Sequence, residues 1–161
     1  MTFKEWEDDH VEKVEVILKK LEGESKLAIT NYFDYDNMVK MEPDFCPLYA
    51  TNTKCHDIDS LNCFLCSCPF FKYSDDLPLR TENGIDVMSV CVIDSNTAGT
   101  FTQNGKQQCD CSGCHIPHKK RFVKRHLEAI DREIVVGDAI STLEWLRGLQ
   151  LSEILGKWKL F

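Results

Sequence analysis

Residues 62–69 read Asn62-Cys63-Phe64-Leu65-Cys66-Ser67-Cys68-Pro69, and the three thiols in this run decide how the chain folds. Sulfur at that density is a device for holding metal. Cys63 and Cys66 stand in a C-x2-C arrangement, in which a tight turn aims two thiolates at one ion while backbone amides of the turn face the sulfurs. Cys111-Ser112-Gly113-Cys114 repeats the spacing. Two such pairs separated by a long insertion are the usual sequence form of a four-thiolate zinc site, and a small sheet between them would support it as in a zinc ribbon. On this reading the first run is one half of a split site.

Zinc in a single site leaves a surplus of donors, because the chain has nine cysteines and five histidines. Cys46, Cys55-His56, Cys68, Cys91, Cys109 and His118 remain, enough for a second tetrahedral site. An iron-sulfur cluster is the other reading, with Cys63, Cys66 and Cys68 as the local group and a distant cysteine completing it. Cys68-Pro69 ends the run as in bacterial ferredoxins, although the C-x2-C-x-C spacing is not theirs. A dithiol redox site at either C-x2-C pair needs a strand before it and a helix opening at the first cysteine, and neither pair has that setting. Cys91, within Val90-Cys91-Val92-Ile93, reads equally as a ligand and as a small buried hydrophobe.

The 161 residues, 43% hydrophobic and 28% charged, suit one compact domain with an ordinary core. No apolar run approaches the roughly 20 residues that span a bilayer, so no membrane partner is expected. The charged N-terminus, Met1 to His10, has no apolar signal region, which predicts a cytoplasmic protein with reduced thiols. An odd number of cysteines also leaves any complete disulfide scheme with one unpaired.

Net charge is −7, which opposes broad attraction to nucleic acid or anionic membrane. Residues 115–126 are the exception, holding five of the nineteen Lys and Arg and no acid, so the remainder carries −12. Where this segment opens a helix, His118, Lys119, Lys120 and Arg121 form a candidate cradle for an anionic small molecule. His118 also reads as a metal ligand beside Cys114, or as a solvated side chain. An exposed helix face is favoured over a nucleic-acid site, since no stacking aromatics accompany the charges.

The periodicity of Phe3, Trp6, Val11, Val14, Ile17, Leu18 and Leu21 predicts a helix over residues 3–22, stopped by Gly23. Beyond it, the chain through Pro43 and Pro47 is too broken for long elements. Residues 85–93 are rich in Val and Ile, and residues 100–103 lead into Asn104-Gly105, a hairpin-turn pair, so a small antiparallel sheet is expected between the cysteine clusters. A helix from Lys119 to about Val135 follows, then a capping box at Ser141 and a last helix over Leu151 to Trp158. The expected fold is therefore α+β, an irregular metal-organised core with a short antiparallel sheet, flanked by N- and C-terminal helices. Within a single domain, residues 1–30 form an N-terminal helical element, 31–126 the cysteine-rich metal-binding core and 127–161 a C-terminal helical element.

The ordered set Asn62-Cys63-x-x-Cys66-x-Cys68-Pro69-x-Phe71, then Cys91, then Asp110-Cys111-x-x-Cys114-x-x-Pro117-His118, resembles the small cysteine-rich domain of anaerobic bacteria and archaea. That domain occurs alone and appended to threonine-phosphate decarboxylase-like proteins of cobamide synthesis, and is regarded as a metal-binder. Cys46 and Cys55-His56 are similar to its early cysteine pair, while Cys109 is additional to it. The resemblance implies metal ligation by Cys46, Cys55, Cys63, Cys66, Cys68, Cys91, Cys111 and Cys114, with a redox, cobamide-related or accessory role and no decarboxylase activity. Anaerobes and the thiol surplus together favour an iron-sulfur cluster over one or two zinc ions. The alternatives are a zinc-stabilised adaptor for nucleic acid or a protein partner, and an enzyme acting on a phosphorylated small molecule. The chain has neither a phosphate-binding G-x-x-x-x-G-K loop nor a G-x-S-x-G nucleophile turn.

Overall fold

The structure is a computed structural model that describes residues 2–93 and 95–130. Among the described residues, four α-helices and two small sheets make it α+β. Its internal contacts fall into two compact units, the first comprising residues up to Ser67 together with those from Pro117, the second Cys68–Ile116.

In the first unit, α1 (Phe3–Lys20) starts at a capping box: the Thr2 hydroxyl accepts from the Glu5 amide, and the Glu5 carboxylate accepts from the Thr2 amide at 2.7 Å. Gly23, at φ +85°, carries the chain away from the helix through a conformation that disfavours a side chain. The expected apolar stripe is present, with Val14, Ile17 and Leu18 buried. His10 is buried on the same face, which the hydrophobic pattern did not announce. Next come α2 (Lys26–Tyr32), capped by Ser25 on the Ala28 amide, and α3 (Tyr35–Met41). Both are seven residues long, short enough for the broken region expected there. A 3-10 turn at Pro47–Thr51 follows. From the far end of the chain, α4 (Lys120–Ile130) packs against α2 and buries Val123 and Leu127. The continuation of that helix towards Val135 and the later elements at Ser141 and residues 151–158 lie outside the described residues. All these elements meet in one core around Phe33, Met38, Phe64 and Leu65.

In the second unit, β1 (Phe71–Tyr73) pairs antiparallel with β4 (Ser89–Cys91), and Phe71 faces Cys91. A separate four-stranded sheet has the order β2 (Arg80–Glu82), β3 (Ile85–Val87), β6 (Lys106–Asp110), β5 (Gly99–Gln103). The expected sheet is thus two sheets. It is also not wholly antiparallel, because β3 and β6 run parallel. The apolar stretch 85–93 divides at Met88, whose amide donates to Gln107 and whose carbonyl accepts from Ser74. Asn104-Gly105 makes the expected two-residue turn, with both residues at positive φ, and Asn83-Gly84 makes the same turn between β2 and β3. Among the described residues no helix is long and apolar enough to cross a membrane.

Candidate metal centres

Leu61 and Asn62 bring the first C-x2-C pair into place. Leu61 bridges Lys119, Asn62 bridges Asp34, and the Asn62 amide donates to the His118 carbonyl at 2.9 Å. The Asn62 side chain, wholly buried, donates to the Thr30 carbonyl at 2.7 Å and to the Asp34 carboxylate at 3.1 Å, and accepts from the Phe64 amide at 3.1 Å. The Cys63 amide then donates to the Phe33 carbonyl at 2.8 Å. A buried amide satisfied on both its oxygen and its nitrogen is costly to disturb, so Asn62 holds the start of the Cys63 turn in place.

Around this pair the first unit assembles its other donors. Cys46 precedes the 3-10 turn, where its carbonyl accepts from Tyr49. The His118 Nδ1 lies 4.0 Å from the Cys66 Sγ and 3.3 Å from the Asn62 carbonyl. The rings of His56 and His118 are 4.6 Å apart, and a donor atom from each lies within 4.8 Å of the others and of the Cys55 sulfur. The thiols act on one another. A hydrogen bond from Cys66 holds the Cys63 thiol below its ordinary range, against the effect of burial. The Cys66 thiol is pushed up in return by that bond, by burial and by Cys63, Cys55 and Cys46. Burial, then Cys63 and Cys46, raise Cys55, while the amides of Cys55 and His56 oppose the rise.

Two tyrosines close the site. The hydroxyls of Tyr35 and Tyr49 are buried and form no hydrogen bond with any described residue. Both are held above the ordinary phenol range, by burial first and then by Cys63, with Cys46 also acting on each. Tyr49 lies close enough to Cys63 to favour its thiolate, a near approach rather than a formed bond. Buried donors left in this condition fit anionic sulfur, which a metal-bound thiolate supplies and a neutral thiol does not.

The second unit gathers Cys68, Cys91, Cys109, Cys111 and Cys114 by different means. Phe71 opens β1 after a turn in which its amide donates to the Cys68 carbonyl, and the amides of Phe70 and Phe71 also face the Cys68 sulfur. Cys91 ends β4 and Cys109 lies on β6. Cys111 and Cys114 form a turn closed by a 2.9 Å bond from the Cys114 amide to the Cys111 carbonyl, with the Asp110 carboxylate accepting from the Ser112 amide. A Cβ on Gly113 would stand 3.0 Å from the Thr97 carbonyl, so this turn admits only glycine without a shift. Burial, with Cys91 and Cys114, raises the Cys68 thiol to about 11. Burial, then the Cys109 bond, Cys91 and Cys68, raise Cys111 to about 12. The buried Cys114 sulfur lies 3.4 Å from the Ser95 hydroxyl.

Cys63 and Cys66 are therefore grouped with Cys46 and Cys55, and Cys111 and Cys114 with Cys68 and Cys91. The eight expected ligands divide four and four between the units. Of the expected anion cradle, His118 is buried with its ring against Cys66, Lys120 is ion-paired with Asp34, and Lys119 and Arg121 are exposed. Asn62 stands in the sequence pattern around the first thiols without an expected role of its own, and Tyr35, Tyr49 and Ser95 carry no expectation from the sequence. Only Asn62 carried a local signal, a polar residue set between Leu61 and Cys63-Phe64-Leu65.

The fold and these groups define a cysteine-rich α+β protein with two candidate metal centres. No family model, no curated protein and no solved structure matches the chain.

Proposed function

We propose that this is a cytoplasmic zinc protein in which each unit is organised by one ion, held by Cys46, Cys55, Cys63 and Cys66 in the first and by Cys68, Cys91, Cys111 and Cys114 in the second. The observation that carries the reading is the placement of the thiols, with Cys46, Cys55, Cys63 and Cys66 in the first unit and Cys68, Cys91, Cys111 and Cys114 beside Cys109 in the second. Thiols crowded in this way cannot all ionise alone, and a divalent cation removes the repulsion while displacing their protons. Structural zinc contributes directly to folding, about 10 to 16 kcal/mol in small zinc modules. This suits a chain whose ligand-bearing segments are mostly irregular.

On this reading the protein acts as a binding module for a protein partner, and the ions shape its surface. The iron-sulfur reading rests on the Cys63 to Pro69 run and on the resemblance to the domain of anaerobes. Purification without oxygen, with assay of zinc, iron and acid-labile sulfide, decides between them. The proposal expects a colourless protein with two zinc ions per chain and no sulfide. Stoichiometric iron and sulfide with visible absorption, or a folded protein without metal, would overturn it.

A further inference from the structure

Division of the thiols into two sets of four leaves Cys109 over. It stands on β6, two residues before Cys111, and the two Sγ atoms are 3.6 Å apart. The Cys109 amide donates to the Ser89 hydroxyl at 2.8 Å, and that hydroxyl donates to the Gln108 side chain at 3.1 Å, so the backbone beneath the pair is held. Both sulfurs belong to partly exposed residues, whereas Cys114 is buried. A small oxidant can therefore reach Cys109 and Cys111, while Cys114 is shielded from it. Closing the gap to the roughly 2.05 Å of a disulfide asks for side-chain rotation and a small adjustment of a two-residue span.

We infer that Cys109 and Cys111 are an oxidisable dithiol, through which a peroxide withdraws Cys111 from the ion of the second unit and releases it. The inference rests on the proposed zinc sites and adds their regulation. The Cys109 thiolate attacks one oxygen of the peroxide, the O–O bond breaks, and hydroxide leaves as the sulfenic acid forms. The Cys111 thiolate then attacks the Cys109 sulfur, so that the S–S bond forms as the S–O bond breaks and a second hydroxide leaves. The two thiols lose two electrons and two protons, and hydrogen peroxide becomes two waters. Three thiolates remain on the ion, and its hold weakens.

The test uses the full zinc-loaded chain, titrated with hydrogen peroxide while a chromogenic chelator reports released zinc and peptide masses under non-reducing conditions report connectivity. Wild type should release one of its two ions as a Cys109–Cys111 disulfide appears, and dithiothreitol with added zinc should reverse both changes. Cys109→Ser should load the same zinc and release it about tenfold more slowly or less. Release from Cys109→Ser at the wild-type rate, a disulfide joining any other pair, or oxidation of Cys109 without a disulfide would overturn the inference. Failure of Cys109→Ser to load the second ion would overturn it too, by making Cys109 a ligand. The zinc count before oxidant tests the proposed sites separately, because the disulfide connectivity is read whatever metal is found.

Discussion

Asn62 shows what a single residue does here. Its side chain joins Thr30, Asp34 and Phe64, and its backbone joins His118, so one position ties the C-x2-C turn to α2, to the start of α3 and to the segment carrying His118. Asn62→Ala leaves those buried partners unsatisfied and should cost roughly 2 to 4 kcal/mol, measured by urea unfolding of the zinc-loaded protein. A change under about 0.5 kcal/mol, the level of an ordinary surface substitution, would contradict that role. His10 gives a second prediction at this scale. Burial first, then Lys13, holds its imidazole down to about 4 from 6.5, with Trp6 stacked on it and Phe45 at its edge. Between those values the unfolded chain takes a proton that the folded chain refuses. Stability therefore falls as pH drops from 6.5 towards 4, by about 3 kcal/mol from this residue, and the loss levels off below. Replacing His10→Phe should flatten the stability profile over that window relative to wild type, and an unchanged slope would refute the account. The cysteines could be read from the sequence because their chemistry is their identity. Asn62, His10, Tyr35 and Tyr49 could not, because a polar residue gains its role only from the burial that tertiary structure imposes.

At the scale of elements, α1 was legible because one amphipathic stripe and one glycine stop determine a surface helix. The Asn104-Gly105 hairpin was legible for a similarly local reason, and Asn83-Gly84 carries the same signal. Residues 85–93 were not resolved, since an apolar run does not say where the chain leaves one sheet for another, and the break at Met88 depends on Gln107 and Ser74. The parallel pairing of β3 with β6 likewise arises from a long-range register that no local pattern encodes. The Cys111–Cys114 turn carries the prediction at this scale. Gly113→Ala must move either the turn or the Thr97 carbonyl by a few tenths of an ångström, which displaces one ligand of the second unit against another. Its zinc affinity in chelator competition should fall by about tenfold, the low end of what a disturbed ligand shell costs, while the first unit's ion is unaffected. Equal loss from both units, or from neither, would contradict the assignment.

Across the whole molecule, the helices expected on either side of the cysteines and the strands expected between the two clusters are present where the structure describes them. The division of the thiols was harder to read. Two C-x2-C pairs in one sequence suggest a single shared site, because spacing along a chain carries no information about which unit each pair joins. Contacts assign Cys66 to one unit and Cys68, two residues later, to the other, so the first unit holds four cysteines and the second five, Cys109 being the additional one. That turns the thiol surplus from an argument for a cluster into an argument for two ions. The most direct test is to count zinc in Cys63→Ser/Cys66→Ser and in Cys111→Ser/Cys114→Ser, each purified without oxygen and kept folded. Each double variant should lose one ion and keep the other, with Cys111→Ser/Cys114→Ser retaining its ion on Cys46, Cys55, Cys63 and Cys66. Loss of all metal from both folded variants would mean that the two pairs share one site, and would contradict the account.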